Sequence, residues 1–424
     1  MASLHPILKK SYWFLAILGG LWATFLILLI NPTFQRHALY AHKIHTAFWN
    51  NISNPEEFGF AKGQVTPFNL TTSDRETLFC WHVLPLDVYL DNENEIVQKA
   101  TGLVGDLQET IGYKLLQRDP KSRVVVNFHG NAGHVAQGYR PSTYRSLSGI
   151  PHTHVLTCDY RGFGHSTIHN PPHIPTEAGL ITDGISLTSY LLTTLQHPAD
   201  RTVLLGQSMG TVIASATALY FASPSTSALP PTIAHPSPLP NSATAFAGVI
   251  LISPFPDLPE LLQSYKISGF IPVLAPLKGY PKIANYLSSK IIDTWPTLPR
   301  LQALLTASAA SKTPVHISIL HARNDPDISF RLSEAVYAGL ETLFLGDENV
   351  VASEERRTIH GGERVKRGAF AYRSVEDGDR MRSVELEIVR YGGHNEVVGW
   401  SQVSLAVRRA FKGVKSLRPG LDVE

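Results

Sequence analysis

The chain has 424 residues, with 37 Lys and Arg against 35 Asp and Glu, a formal net charge of +2 and 17% charged residues. That length can bury a large core, and that balance leaves no basic footprint, which excludes nucleic acid as a partner. Two cysteines, Cys80 and Cys158, are too few for a disulfide framework; both sit in apolar, strand-like runs and read as buried free thiols.

The amino end differs from everything after it. Tyr12 to Ile30 is an unbroken apolar stretch of about nineteen residues, enough to cross a bilayer core. Tyr12, Trp13 and Trp22 would anchor it at the interfaces, with Lys9 and Lys10 on its amino side. A cleaved signal peptide is the competing reading, but no small-residue cleavage site follows Ile30. Residues 1–50 are therefore expected to form a membrane anchor and a juxtamembrane segment. Arg36 and Lys43 nearly balance Lys9 and Lys10, so charge does not orient the span. The sequons at Asn51-Ile52-Ser53 and Asn69-Leu70-Thr71 favour a lumenal side for the rest. His37, His42 and His45 suggest a metal site, but no carboxylate or cysteine joins them; a helix on the lipid surface is the reading for 34–49.

Phe68–Thr72 and Thr77–Leu84 read as an antiparallel pair of strands, and 87–115 as loop and surface helix. Ser122–Phe128 is a buried strand running into His129-Gly130-Asn131-Ala132-Gly133. Small residues there let main chain approach a reacting oxygen, and the N–H of Asn131 is the candidate donor. A plain β-turn is the alternative; a phosphate cradle is not, because no Lys-[Ser/Thr] follows the glycines. His154–Asp159 is the next strand, and its H-x-x-x-x-D spacing reads as coincidence because the two residues face opposite ways. Arg161 and Asp159 are expected to tie the following turns together. A helix capped by Thr176 runs to about Leu195.

Thr202–Leu205 runs into Gly206-Gln207-Ser208-Met209-Gly210, and a mostly apolar helix follows. This strand, turn and helix lift a central serine out of the backbone, and the flanking glycines avoid a Cβ collision. The N–H of Met209 joins Asn131 as an oxyanion donor. Residues 222–247, rich in Pro, Ser and Thr, read as a mobile surface insertion. Gly248–Ile252 resumes the sheet. From 254 to 312 helical pieces alternate with prolines, including the apolar Ile267–Leu277; this is a cap over the site, or else ordinary core helices. Pro314–His321 is a strand followed by Asp325 and Asp327. Residues 347–382 read as a charged, solvated insertion, with headgroup binding as the alternative; Val384–Tyr391 is the last strand, and it leads to Gly392-Gly393-His394.

Ser208, then an acid, then His394, each in a loop after a strand, is the chain order of an α/β-hydrolase. The expected fold is a doubly wound, mostly parallel eight-stranded sheet with a helical cap, spanning 51–424, plus one N-terminal transmembrane helix. The segments His129–Gly133, Asp159–Ser166, Gly206–Gly210, His321–Asp325 and Gly392–Asn395 resemble the membrane-anchored α/β-hydrolase-domain serine lipases. The stretch from Pro254 to Pro281 is similar to their lysophosphatidylserine and monoacylglycerol lipase branch. That resemblance implies hydrolysis of lipid esters at an endoplasmic reticulum membrane, with no metal or organic cofactor. It also implies Asp325 as the acid by its distance from His321, although Ile328-Ser329 replaces the family's usual Val-Pro or Ile-Pro and keeps Asp327 open. An acyl-protein thioesterase shares this chemistry, and a silent lipid- or protein-binding module is the reading from another class.

Overall fold

A computed structural model describes residues 5–44, 48–99, 101–237, 243–267, 269, 271–344, 367–379 and 381–417. Runs such as Val124-Val125-Val126 and Val203-Leu204-Leu205 are apolar on both faces, so they require cover on both sides and lie mid-sheet. The strands are β1 (Val65–Thr71), β2 (Thr77–Val83), β3 (Arg123–Phe128), β4 (Thr153–Cys158) and β5 (Thr202–Gln207). β6 (Gly248–Ile252), β7 (Val315–Ala322), β8 (Ala371–Glu376) and β9 (Arg382–Val389) follow. Among the described residues they form one sheet in the order β1-β2-β4-β3-β5-β6-β7-β9-β8. Strands β4-β3-β5-β6-β7-β9 pair in parallel, whereas β1-β2, β2-β4 and β9-β8 pair antiparallel.

The sheet thus has nine strands where eight were expected. The ninth, β8, lies inside the stretch read as a solvated insertion. Only Tyr372 and Val375 of it are buried, and Arg373 pairs with Glu341, the charged edge that blunts further strand addition. Residues 347–366 and 380 of that stretch lie outside the described residues.

The cysteines require a second correction. Cys80 on β2 and Cys158 on β4 are register partners and form a disulfide, not two free thiols. Their separation of 78 residues hides this pairing until the sheet order is known.

Helices cover both faces. α1 (Pro6–Leu28) and α2 (Pro32–Tyr40) precede the sheet, and α3 (Arg140–Ser148), α4 (Glu177–Ser189) and α5 (Met209–Ala222) lie between its strands. α6 (Leu258–Ser264), α7 (Pro281–Ser288), α8 (Thr297–Ser311), α9 (Phe330–Glu341) and α10 (Ser401–Leu417) follow, and three short helices, Leu86–Asp91, Glu93–Ile96 and Ile111–Arg118, lie between β2 and β3. α4, α5, α8 and α9 bury residues such as Ile185, Ile213, Leu304 and Val336 on one face, and α3 and α10 bury Leu147 and Val407 on the other. Thr176 caps α4 as expected, its Oγ1 accepting from the Gly179 N–H at 3.0 Å.

Two loop readings change. The stretch 222–247 is pegged to the core by Leu229, Ile233 and Phe246, and Arg300 Nε donates to the Ala228 carbonyl. In 254–312, α8 is a core helix, whereas Lys266–Ile267 and Ile271–Pro272 form a small hairpin leading to a turn at Ala275–Gly279. Phe270 lies outside the described residues.

α1 is long and apolar enough to cross a membrane, and its side chains are largely exposed. Its last turns nevertheless touch the cap region. Leu26 packs with Val273, Leu274 and Leu277, and Trp22 Nε1 donates to the Val273 carbonyl at 3.2 Å. α2 packs on the globular part. Gln35 bonds the Lys290 carbonyl and the Ile292 N–H, Arg36 forks onto Asp293 at 3.0 and 3.2 Å, and buried Tyr40 donates to the same carboxylate at 2.8 Å. His42 is buried against Phe163, and His45 is outside the described residues.

Candidate active site

β5 ends at Gln207 and α5 begins at Met209, so Ser208 is the whole turn, held at φ 52° and ψ −121°. A non-glycine residue in this region is strained and needs neighbours that over-determine it. The neighbours do so. A Cβ on Gly206 would come 2.2 Å from the Gly210 oxygen, and one on Gly210 would come 2.0 Å from the Phe128 oxygen. The Ser208 N–H donates to the Ile252 carbonyl at 2.9 Å, fastening the elbow to β6. Met209 is the first residue of α5, where main-chain N–H groups have no helical acceptor.

The loop after β7 carries Asp325. Its Oδ2 is 2.7 Å from His394 Nδ1 and accepts from Ser253 Oγ at 3.2 Å; its Oδ1 accepts from the N–H groups of Asp327 and Ile328 at 2.9 and 2.8 Å. His321 Nε2 lies 3.3 Å from the same Oδ2 and 3.0 Å from the Ile328 carbonyl. Burial alone would raise the Asp325 carboxyl, but the hydrogen bonds and charge of His321 and His394 hold it well below the usual carboxylate range. Burial would likewise lower His394, and the hydrogen bond and charge of Asp325, joined by the charge of Asp327, raise it above its ordinary value. Asp325 is thus the carboxylate on His394. The Asp327 carboxyl is raised by burial, against the pull of His394.

Ligand-type atoms of Asp325, Asp327 and His394 lie within 4.8 Å of one another. The Asp325 oxygens already face the His394 ring, a serine hydroxyl and two main-chain amides. Gln207 Nε2 donates to the His394 carbonyl at 2.9 Å, joining the elbow to the histidine loop. The loops that carry Ser208, Asp325 and His394 are therefore neighbours.

The loop after β3 is bound from two sides. Arg140 Nη2 donates to the carbonyls of Gly130, Asn131 and Ala132 at 2.9, 3.0 and 2.8 Å, and Nη1 donates to that of His134 at 2.6 Å. On the other side the Asn131 side-chain amide donates to the Leu39 carbonyl, and the Gly133 N–H donates to that of Ile44 at 2.9 Å. His129 is buried, with Nδ1 2.7 Å from the Gly130 carbonyl, so Nδ1 carries the proton; burial and the charge of Arg140 push its pKa well down. Asp159 accepts from the Val135 N–H, while Arg161 turns instead to Asp183 and Asp74. His154 stacks on His82, far from any role beside Asp159.

Gln207, Ser253 and Arg140 make contacts that sequence reasoning passed over, and His321, used there only to locate Asp325, lies against its carboxylate. Gln207 occupies a variable place in the motif, and Arg140 bonds only main chain here, which leaves no residue pattern to find.

Residues 119–342 match the serine aminopeptidase S33 family, just over half of the chain; the match holds the elbow and Asp325 and ends before His394. The lysophosphatidylserine lipase ABHD12 of Rattus norvegicus is 24% identical over 340 residues, 78% of this chain and 71% of that one. Protein ABHD12B of Homo sapiens is 39% identical over 92 residues, 22% and 23% of the two chains. The structure of an alpha-beta hydrolase from Vibrio vulnificus superposes with a TM-score of 0.52 at 14% identity, over 90% of this chain and 94% of that one. Parallel sheet, elbow and relatives agree: the chain belongs to the serine aminopeptidase S33 family of α/β-hydrolases and is a serine ester hydrolase of lipase type.

Proposed function

We propose that this hydrolase cleaves the carboxylic ester of a lysophospholipid or monoacylglycerol, with Ser208, Asp325 and His394 as its triad. The observation that carries the reading is the 2.7 Å contact of Asp325 Oδ2 with His394 Nδ1, together with the bond from Gln207, the residue before the strained elbow serine, to the His394 carbonyl. Asp325 holds the Nδ1–H tautomer and stabilises the imidazolium. His394 Nε2 takes the Ser208 proton as Oγ attacks the ester carbonyl; the tetrahedral intermediate collapses, the alcohol leaves with that proton, and an acyl-enzyme remains. Water, deprotonated by His394, then releases the fatty acid. The N–H groups of Met209 and Asn131 hold the oxyanion, a donor of this type being worth about 3–4 kcal/mol.

The ABHD12 relatives are lysophosphatidylserine lipases, and the exposed apolar α1 supports a membrane-anchored enzyme whose substrate arrives from the bilayer. The Cys80–Cys158 disulfide and the exposed Asn51 and Asn69 favour the lumenal face of the endoplasmic reticulum for the catalytic domain. The test is labelling of membranes with a fluorophosphonate probe, followed by assay on lysophospholipid, monoacylglycerol and acyl-thioester panels. Labelling that vanishes in Ser208→Ala, with turnover of the lipid oxo-esters, is expected. Labelling that persists in Ser208→Ala overturns the nucleophile, and turnover of the thioesters alone overturns the substrate class.

A further inference from the structure

Arg140 lies at the start of α3, nine residues after Asn131, and its four hydrogen bonds described above all end on main-chain carbonyls. Three of those carbonyls belong to successive residues, Gly130, Asn131 and Ala132. In a trans peptide unit the N–H points opposite to the C=O. Turning three successive carbonyls onto one guanidinium therefore turns the N–H groups of Asn131, Ala132 and Gly133 away from it. The Gly133 N–H does reach outward, to the Ile44 carbonyl at 2.9 Å. Left-handed φ values of 58° at Ala132 and 69° at Gly133 give the chain the curvature this requires.

The three units are not equivalent. The Gly130 oxygen takes both a charged donor, Arg140 Nη2 at 2.9 Å, and the neutral Nδ1–H of His129 at 2.7 Å. Two donors on one carbonyl polarise that unit, and its own N–H, that of Asn131, becomes the stronger donor. Arginine suits this task because its planar fork carries five N–H groups and keeps its charge. We propose that Arg140 is the positioning residue of the oxyanion hole: it aims and polarises the Asn131 N–H without touching the substrate. This rests on the reading of Ser208 as nucleophile with a main-chain oxyanion hole.

A matched pair of short soluble substrates tests it, an ester and its thionoester with the same acyl and alcohol groups, on the full-length protein in detergent. Sulfur is a poor hydrogen-bond acceptor, so the thionoester gains little from the hole, and the ratio of the two kcat values reports the hole itself. Arg140→Met is expected to lower kcat for the oxo-ester about 100-fold, the scale of one lost oxyanion donor. KM should stay nearly constant, and thionoester turnover should fall far less. Arg140→Lys, which keeps the charge but cannot fork over three carbonyls, should recover part of the ratio. If Arg140→Met does not fold, a lowered oxo-to-thiono ratio in Arg140→Lys carries the same prediction. Wild-type discrimination with an unchanged ratio in both variants, or equal losses on both substrates, overturns the positioning role. A wild type that turns over the thionoester as readily as the oxo-ester overturns the oxyanion-hole reading beneath it.

Discussion

The side-chain amide of Gln207 donates to the main-chain carbonyl of His394 at 2.9 Å, so the residue before Ser208 holds the loop that carries the imidazole. A neutral hydrogen bond of this kind contributes about 1 kcal/mol, and here the energy is invested in aiming a ring. Gln207→Ala is expected to reduce kcat about tenfold with KM little changed, since a 1.4 kcal/mol loss of alignment is one decade. Gln207→Glu, which replaces the donor with a charge facing a carbonyl, should cost more. Steady-state kinetics on a short ester, with thermal unfolding as the control for fold, decides the matter. Unchanged kcat in both variants removes Gln207 from the positioning role.

The two acids of the β7 loop should separate in mutagenesis. Asp325→Asn removes the charge and sets an amide that can donate against His394 Nδ1, and it is expected to lower kcat about 10⁴-fold, the scale of a wrong imidazole tautomer. Asp327→Asn should keep most of the rate. A large loss in Asp327→Asn with near-normal Asp325→Asn would exchange their roles.

The same pair sets the pH dependence. His394 must be neutral to accept a proton, and its pKa stands above the ordinary value. Activity should therefore climb with pH through a value above about 6.5, the ordinary histidine pKa. Asp327 contributes to the rise, so Asp327→Asn should move the acid limb to lower pH. The linked stability has the opposite sense: the ion pair contributes fully below the unfolded pKa and is lost as pH rises through the folded one. An acid limb that stays in place in Asp327→Asn would show that its charge does not reach the ring.

The Cys80–Cys158 bond closes a long loop between neighbouring strands. Its removal in a Cys80→Ala, Cys158→Ala double variant is expected to cost about 2–5 kcal/mol in urea unfolding. Native protein should resist thiol alkylation until it is both denatured and reduced. Alkylation of denatured, unreduced protein at both cysteines would mean that the bond does not form in the cell.

Topology has its own readout. The Asn51 side chain is exposed and accepts from the Ser53 N–H at 2.9 Å, and Asn69 is exposed on the outermost strand, β1. A lumenal domain should carry glycan at one or both, seen as increased gel mobility after glycosidase treatment and lost in Asn51→Gln, Asn69→Gln. Unchanged mobility, together with protease digestion of the domain in intact microsomes, would reverse the orientation.

The central strands and the loops that leave them were legible in the sequence because each is local. Val124–Phe128, Val203–Leu205 and Val315–Leu320 announce buried strands by composition, and the small or polar residues after them mark the turns. What was not legible depends on distant partners. β8 has one buried residue on each face, Tyr372 and Val375, too few for a pattern, and it pairs along its length with β9. The disulfide needed the order of β2 and β4. The seating of 222–247 rests on Leu229, Ile233 and Phe246, single apolar residues in a Pro- and Ser-rich stretch whose composition reads as loop. The docking of α2 rests on polar contacts of Gln35, Arg36 and Tyr40 with residues some 250 positions away.

That docking ties the segment after α1 to the loop that carries Asn131. The carbonyls of Leu39 and Ile44 receive the Asn131 side chain and the Gly133 N–H, and both belong to the stretch that joins the apolar helix to the rest. A protease that trimmed the chain after residue 44, or a transcript that began there, would strip away two supports of the loop along with the apolar helix α1. The product would not be a diffusible lipase of undiminished power. If α1 anchors the enzyme as proposed, shedding it would also loosen the loop that carries Asn131, and release and loss of activity would come together.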